Sequence, residues 1–92
     1  MTSRTGKRFR RLFRRLPEHV RRQAIAAYAL WRADPFHPSL NFKRLRGSRT
    51  LWSVRVGLHH RAVGRRTGDR VTWFWIGPHD GYDTVAATSG GR

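Results

Sequence analysis

Ninety-two residues suffice for one small domain with a modest core. Twenty Lys and Arg against five Asp and Glu leave a formal charge of +15, which works against compaction by self-repulsion and draws a polyanion. The absence of cysteine excludes disulfides and thiolate metal sites, and no apolar run is long enough to span a bilayer.

No signal-peptide core follows Met1, so the expected location is cytoplasmic, with no membrane partner. Lys7 and Lys43 are the only lysines; every other cation is an arginine, whose planar fork suits bidentate phosphate contact and stacking on bases. Residues 1–5 form either a short edge strand or a disordered lead. From Lys7 onward Phe9, Leu12, Phe13 and Leu16 recur at helical spacing. Pro17 is disfavoured inside a helix and favoured at its first turn, so it separates this helix from a second one over about 17–33. Glu18 lies at the start of that second helix, where its charge suits the macrodipole. Val20, Ala24, Ala27, Tyr28 and Trp31 make the apolar stripe, and its alanines permit a close approach of the two helices. The joint apolar face of this helical hairpin requires a sheet to cover it.

Pro35 and Pro38 force extended backbone before them and end the second helix. Residues 40–45 read as a brief strand or an extended crossing, and Gly47 with Ser48 as a turn. Three strands follow. Trp52, Val54 and Val56 alternate with Ser53 and Arg55, the period of two of a half-buried strand. Gly57 and Leu58 break the chain, and 60–63 returns alongside. Residues 65–69 carry turn chemistry with Gly68. The run 71–76 is apolar or β-favouring on both faces, which predicts the central, doubly covered strand, with Trp73 and Trp75 pointing one way into the core. Residues 1–83 are expected to be the folded domain and 84–92 a flexible tail.

The expected class is therefore α+β, an N-terminal helical hairpin packed on a small antiparallel sheet. Cleavage of RNA at its 2′-hydroxyl requires a base, cations for the phosphorane and an acid for the leaving oxygen. Arg55 and Arg61 fall on neighbouring strands of one hairpin, although sequence alone leaves their register open. Lys43 precedes the sheet. His79 follows the last strand, where an imidazole titrates near neutrality. Tyr82 is three residues further on, placed to stack on a base or donate a proton. Arg44, Arg46, Arg65 and Arg66 are candidate nucleic-acid contacts. His59 and His60 form no expected metal site, because adjacent strand residues point to opposite faces and no carboxylate cluster completes a ligand set. No metal and no cofactor are expected.

In order along the chain stand Leu16-Pro17, Asp34-Pro35, Pro38 to Leu40, the run 43–47 (Lys-Arg-Leu-Arg-Gly), the run 52–57 (Trp-Ser-Val-Arg-Val-Gly), Arg61 to Val63, and the run 73–80 (Trp-Phe-Trp-Ile-Gly-Pro-His-Asp). Together they resemble the RelE/ParE toxin superfamily of bacterial type II toxin–antitoxin modules. The resemblance spans about 9–83. It implies a microbial-RNase-like α/β fold, an acidic antitoxin partner, and no small-molecule ligand. In the RelE branch it implies ribosome-dependent cleavage of mRNA. In the ParE branch it implies inhibition of DNA gyrase without nuclease chemistry. A non-toxic nucleic-acid-binding relative is the third reading. Carried over by resemblance, Arg61 is the first catalytic candidate, then Arg55, His79 and Tyr82, then Lys43. After Gly77 many RelE-type chains are strongly basic, whereas this one has two acids, Asp80 and Asp83.

Overall fold

A computed structural model describes residues 1–80. Tyr82 and the expected tail 84–92 lie outside the described residues. The chain runs β1 (Thr2–Thr5), α1 (Lys7–Arg14), α2 (Glu18–Ala33), a 3-10 turn (Pro38–Leu40), β2 (Lys43–Arg44), β3 (Leu51–Val56), β4 (His60–Thr67) and β5 (Arg70–Pro78). Among the described residues no helix is long and apolar enough to cross a membrane.

Pro17 occupies the N-cap of α2, and its carbonyl accepts from the amides of Val20 and Arg21, each at 3.0 Å. Arg11 and Arg14 close α1 at the end where the macrodipole favours cations. Beyond α2, His37 accepts the Ser39 amide on its side chain and Asn41 takes the left-handed conformation at φ 47°, turning the chain into β2. The segment 40–45 thus contributes a two-residue strand to the sheet edge.

The sheet order is β1-β5-β4-β3-β2. Strands β2 to β5 pair antiparallel as expected, while β1 adds to the edge parallel to β5. β4 is therefore the middle strand, and β5 is interior too, because β1 takes its far side. Gly68 turns β4 into β5 at φ +60°, a conformation glycine adopts without cost.

The helices cover one face. Val20, Ala24 and Trp31 of α2 pack with Val54, Val56, Ala62, Val71, Trp73 and Ile76 of the sheet. Trp31 meets Trp73 edge-on at 5.5 Å between ring centroids, a favoured aromatic arrangement. A smaller cluster of Leu45, Leu51, Val63 and Trp75 forms on the other face. Trp73 and Trp75 therefore do not point the same way. The register of β4 and β5 slips at Val63/Gly64: Val63 pairs with Trp75 and Gly64 with Trp73, leaving Phe74 as the extra residue of a bulge. One inserted residue reverses the parity of everything beyond it. Gly64 is required at that point, since a Cβ there would stand 2.6 Å from Val71 and 2.8 Å from the Trp73 ring.

The helical hairpin is also looser than its alanines imply. α1 lies along β5 while α2 lies over β3. Between them an apolar cleft of about 540 Å³ is lined by Phe9, Phe13, Ala24, Ile25, Tyr28 and Trp31, with Arg4, Arg10 and Arg14 around it. Ala24 and Ala27 line this cleft rather than a helix–helix seam.

Candidate functional site

The face of the sheet turned away from the helices collects most of the candidate residues. Alternation along β3 and β4 places them there, and the strand register arranges them in rows. Arg55 pairs with Arg61, which pairs in turn with Gly77. In the next row Lys43, Ser53, Val63 and Trp75 stand side by side. In a third row Leu51, Arg65 and Thr72 follow. Lys43, Arg55, Arg61 and Arg65 thus share one face across three strands.

Arg55 is exposed and Arg61 half-buried. Directly opposed strand residues have Cβ atoms about 4.5–5.5 Å apart, and like charges at that separation repel. An anion between the two guanidiniums relieves that repulsion. Gly77 leaves the far side of Arg61 without a side chain, and the Trp75 ring lies over it: a Cβ on Gly77 would be 2.8 Å from Trp75 Cζ2. Trp75 is itself held by Leu45, Leu51 and Val63. The floor next to Arg61 is therefore an indole fixed by packing. Ser53, fully buried, stands beside Lys43 in the adjacent row.

Among the described residues one ion pair is present, Arg22 with Glu18 at 2.9 Å on the exposed side of α2. Lys43, Arg55, Arg61 and Arg65 together give this face of the sheet a concentration of positive charge.

His79 lies one rung beyond β5, its amide donating to the His59 carbonyl at 2.8 Å. It is exposed and follows Gly77, the register partner of Arg61, by two residues. His60 pairs with Val56 and Pro78, on the helix-side parity, while His59 stands in the turn that precedes β4. Burial holds the His60 imidazole below its ordinary range, helped by the neighbouring His59 and His19 charges. Among the described residues no group of three or more His, Cys, Asp or Glu converges.

Of the other cations, Arg65 donates to Thr50 Oγ1 at 2.9 Å and stays on the Arg61 face. Arg44 pairs with Trp52 and Arg66 stacks on the Trp52 ring at 4.7 Å, which puts both on the opposite face. Arg46, exposed, lines a hollow of about 500 Å³ with Lys43, Arg44, Leu45 and Gly47 at the β2 edge. Trp75 and Gly77 are the site components that sequence reading missed. A glycine closing a strand of bulky residues was the available signal.

A family model of the ParE-like toxin domain matches residues 18–84. The fold is similar to that of a chain from the RelB–RelE antitoxin–toxin complex of Methanococcus jannaschii, at 18% identity and a TM-score of 0.70, covering 87% of this chain and 95% of that one. It is similar to the YoeB/ParE toxin from Agrobacterium tumefaciens, at 18% identity and a TM-score of 0.65, covering 86% and 99%. It is also similar to the isolated RelE toxin of E. coli, at 16% identity and a TM-score of 0.65, covering 95% and 97%. No curated protein matches the chain in sequence.

Proposed function

The chain belongs to the ParE-like toxin family within the RelE/ParE superfamily, and from that premise we propose that it is the toxin of a type II toxin–antitoxin module that cleaves mRNA on the ribosome. The observation that carries this reading is the cross-strand pair Arg55–Arg61 on a face that also carries Lys43 and Arg65. In the proposed reaction the 2′-oxygen attacks the adjacent phosphorus and the 5′-oxygen leaves. Arg61, flanked by Arg55, meets the phosphorane, whose added charge is larger than that of the ground-state phosphate. His79 exchanges a proton with an attacking or leaving oxygen, and Lys43 and Arg65 hold flanking phosphates. Tyr82 completes the set by stacking or by proton donation, as the family resemblance implies.

The partner is proposed to be an acidic antitoxin carrying its own apolar stripe. The cleft between α1 and α2 fits such a segment: it is apolar at its floor, and the exposed Ile25 and Tyr28 stand at its edge beside Arg4, Arg10 and Arg14.

The ParE-like description of the matched family favours a second reading, a gyrase-directed inhibitor without nuclease chemistry. Induced expression separates the two. Mapping of mRNA 5′ ends that shows codon-phased cuts supports the nuclease; intact mRNA with cleaved chromosomal DNA supports gyrase.

A further inference from the structure

Five aromatic and cationic side chains at the β2–β3 edge are absorbed by neither the proposed reaction nor the cleft. Phe36, just past α2, is 58% exposed. It is held in a ring cluster: Phe36 lies 5.4 Å from Phe42 and 6.4 Å from Trp52, and Phe42 lies 4.8 Å from Trp52. Arg66 stacks on the Trp52 ring at 4.7 Å, and its Nε donates to the Gly68 carbonyl at 2.9 Å, which fixes the guanidinium plane. Arg44 is the register partner of Trp52 on the edge strand. An exposed ring, a half-buried indole and two guanidiniums therefore share one patch.

We propose that this patch is a second nucleic-acid site, taking an unstacked base of single-stranded RNA on Phe36 and Trp52–Arg66, with the adjoining phosphate on Arg44. The proposal rests on the RNA-directed reading for its ligand. Single-stranded nucleic acid is bound elsewhere by the same combination of aromatic platforms and a cationic track. β2 joins the two sites: Lys43 stands on the Arg61 face and Arg44 on the Trp52 face. The hollow shared by Lys43, Arg44 and Arg46 lies between them. A strand leaving the Arg55–Arg61 pair past Lys43 thus reaches the rings across one strand width. Asp34 and Asp69 flank the patch in sequence, so it is not a uniformly positive field. Binding there depends on the rings as well as on charge.

Trp52 supplies the readout, because Trp31, Trp73 and Trp75 are all buried. Titration of the full-length toxin with ten-nucleotide oligouridylate or oligoadenylate should quench tryptophan emission, and inorganic polyphosphate should bind without quenching. Phe36→Leu keeps an apolar side chain against Phe42 and should weaken oligonucleotide binding about 5- to 150-fold, the range for losing one stacked base. Phe36→Tyr should bind as the parent does. Because no charge changes, the salt dependence of Phe36→Leu should equal that of the parent. Equal affinity of Phe36→Leu and the parent, or quenching by polyphosphate alone, overturns the site. So does a Phe36→Leu variant that loses antitoxin while keeping RNA, which would make the patch a protein interface. Quenching that persists in a toxin that cuts no mRNA retains this site and rejects the nuclease reading; cutting without quenching does the reverse.

Discussion

Arg55 on β3 and Arg61 on β4 are direct cross-strand partners, and they differ in exposure: Arg55 is open to solvent, Arg61 half-buried beside a glycine. The sheet fixes the backbones of both arginines at one rung, within reach of one phosphate. The partly buried one acts through fewer solvent molecules and so carries the larger share of any charge stabilisation.

Arg61→Ala should accordingly leave a folded protein and lower mRNA cleavage on programmed ribosomes by about 100- to 1,000-fold, the usual loss for one preorganised electrostatic contact. Arg55→Ala should cost less, since solvent already screens its charge. His79→Ala should cost on the order of 10- to 100-fold, because water or a ribosomal group takes over part of a proton transfer. Thermal melting guards the comparison. A stable Arg61→Ala protein that cuts as fast as the parent removes the assignment and moves the gyrase reading to first place.

Salt tests the cationic face as a whole. Lys43, Arg55, Arg61 and Arg65 share it, and four phosphate contacts at about 0.7 counterions each give a log–log slope of roughly −3 for single-stranded RNA. Ribosome or RNA binding that does not change between low and several-hundred-millimolar salt contradicts this.

Gly77→Ala probes the floor beside Arg61. Its Cβ would come within 2.8 Å of a Trp75 ring packed against Leu45, Leu51 and Val63. Overpacking of this kind costs about 1–3 kcal/mol. The variant should melt lower and, at temperatures where it remains folded, cleave more slowly, because the displaced indole moves into the space next to Arg61. Unchanged melting would show that the ring yields freely.

Much of this arrangement is legible in the sequence. Pro17 marks the break between helices, alternation at Trp52, Val54 and Val56 gives the face of β3, and Gly57 with Leu58 gives the hairpin that brings Arg55 near Arg61. The exact rung was not legible, because pairing register depends on the turn's geometry and not on residue type alone. The bulge at Phe74 was hidden because 71–76 is apolar on both faces, so no polar residue betrays the change of parity. The parallel docking of β1 on β5 joins the two ends of the described chain, beyond the reach of local pattern. The splay of α1 from α2 likewise depends on which strands each helix covers, which a helical stripe does not encode. Tyr82, a candidate from its position after the last strand, lies outside the described residues.

His60 sets a pH dependence of stability. Its folded-state value is lowered, first by burial and then by His59 and His19, so the unfolded chain takes up the proton more readily than the folded one. Stability is therefore full above the ordinary imidazole value of about 6.5 and falls as pH drops through it toward the lowered folded value. Melting temperature should decline across that interval and the decline should diminish in His60→Gln. A parallel decline in both proteins would place the sensitivity in another group.

The cleft between the helices makes the last prediction. Ile25 is 61% exposed on α2 and lines the cleft, so its substitution disturbs little of the folded core. Ile25→Glu removes an apolar contact and places an acid among Arg4, Arg10 and Arg14, where it would oppose an acidic antitoxin. Losing an interface anchor costs about 2 kcal/mol or more, a factor of roughly 30 in affinity. The variant should melt as the parent does and keep its toxicity, since Ile25 lies on the helix side and the Arg55–Arg61 face is untouched. It should escape neutralisation when the antitoxin is co-expressed, and calorimetry should show the weaker complex. If affinity were unchanged, the antitoxin would have to sit on the sheet face instead, and there it would compete directly with RNA for Arg61. An antitoxin complex that still bound RNA as tightly as the free toxin would exclude that face as well.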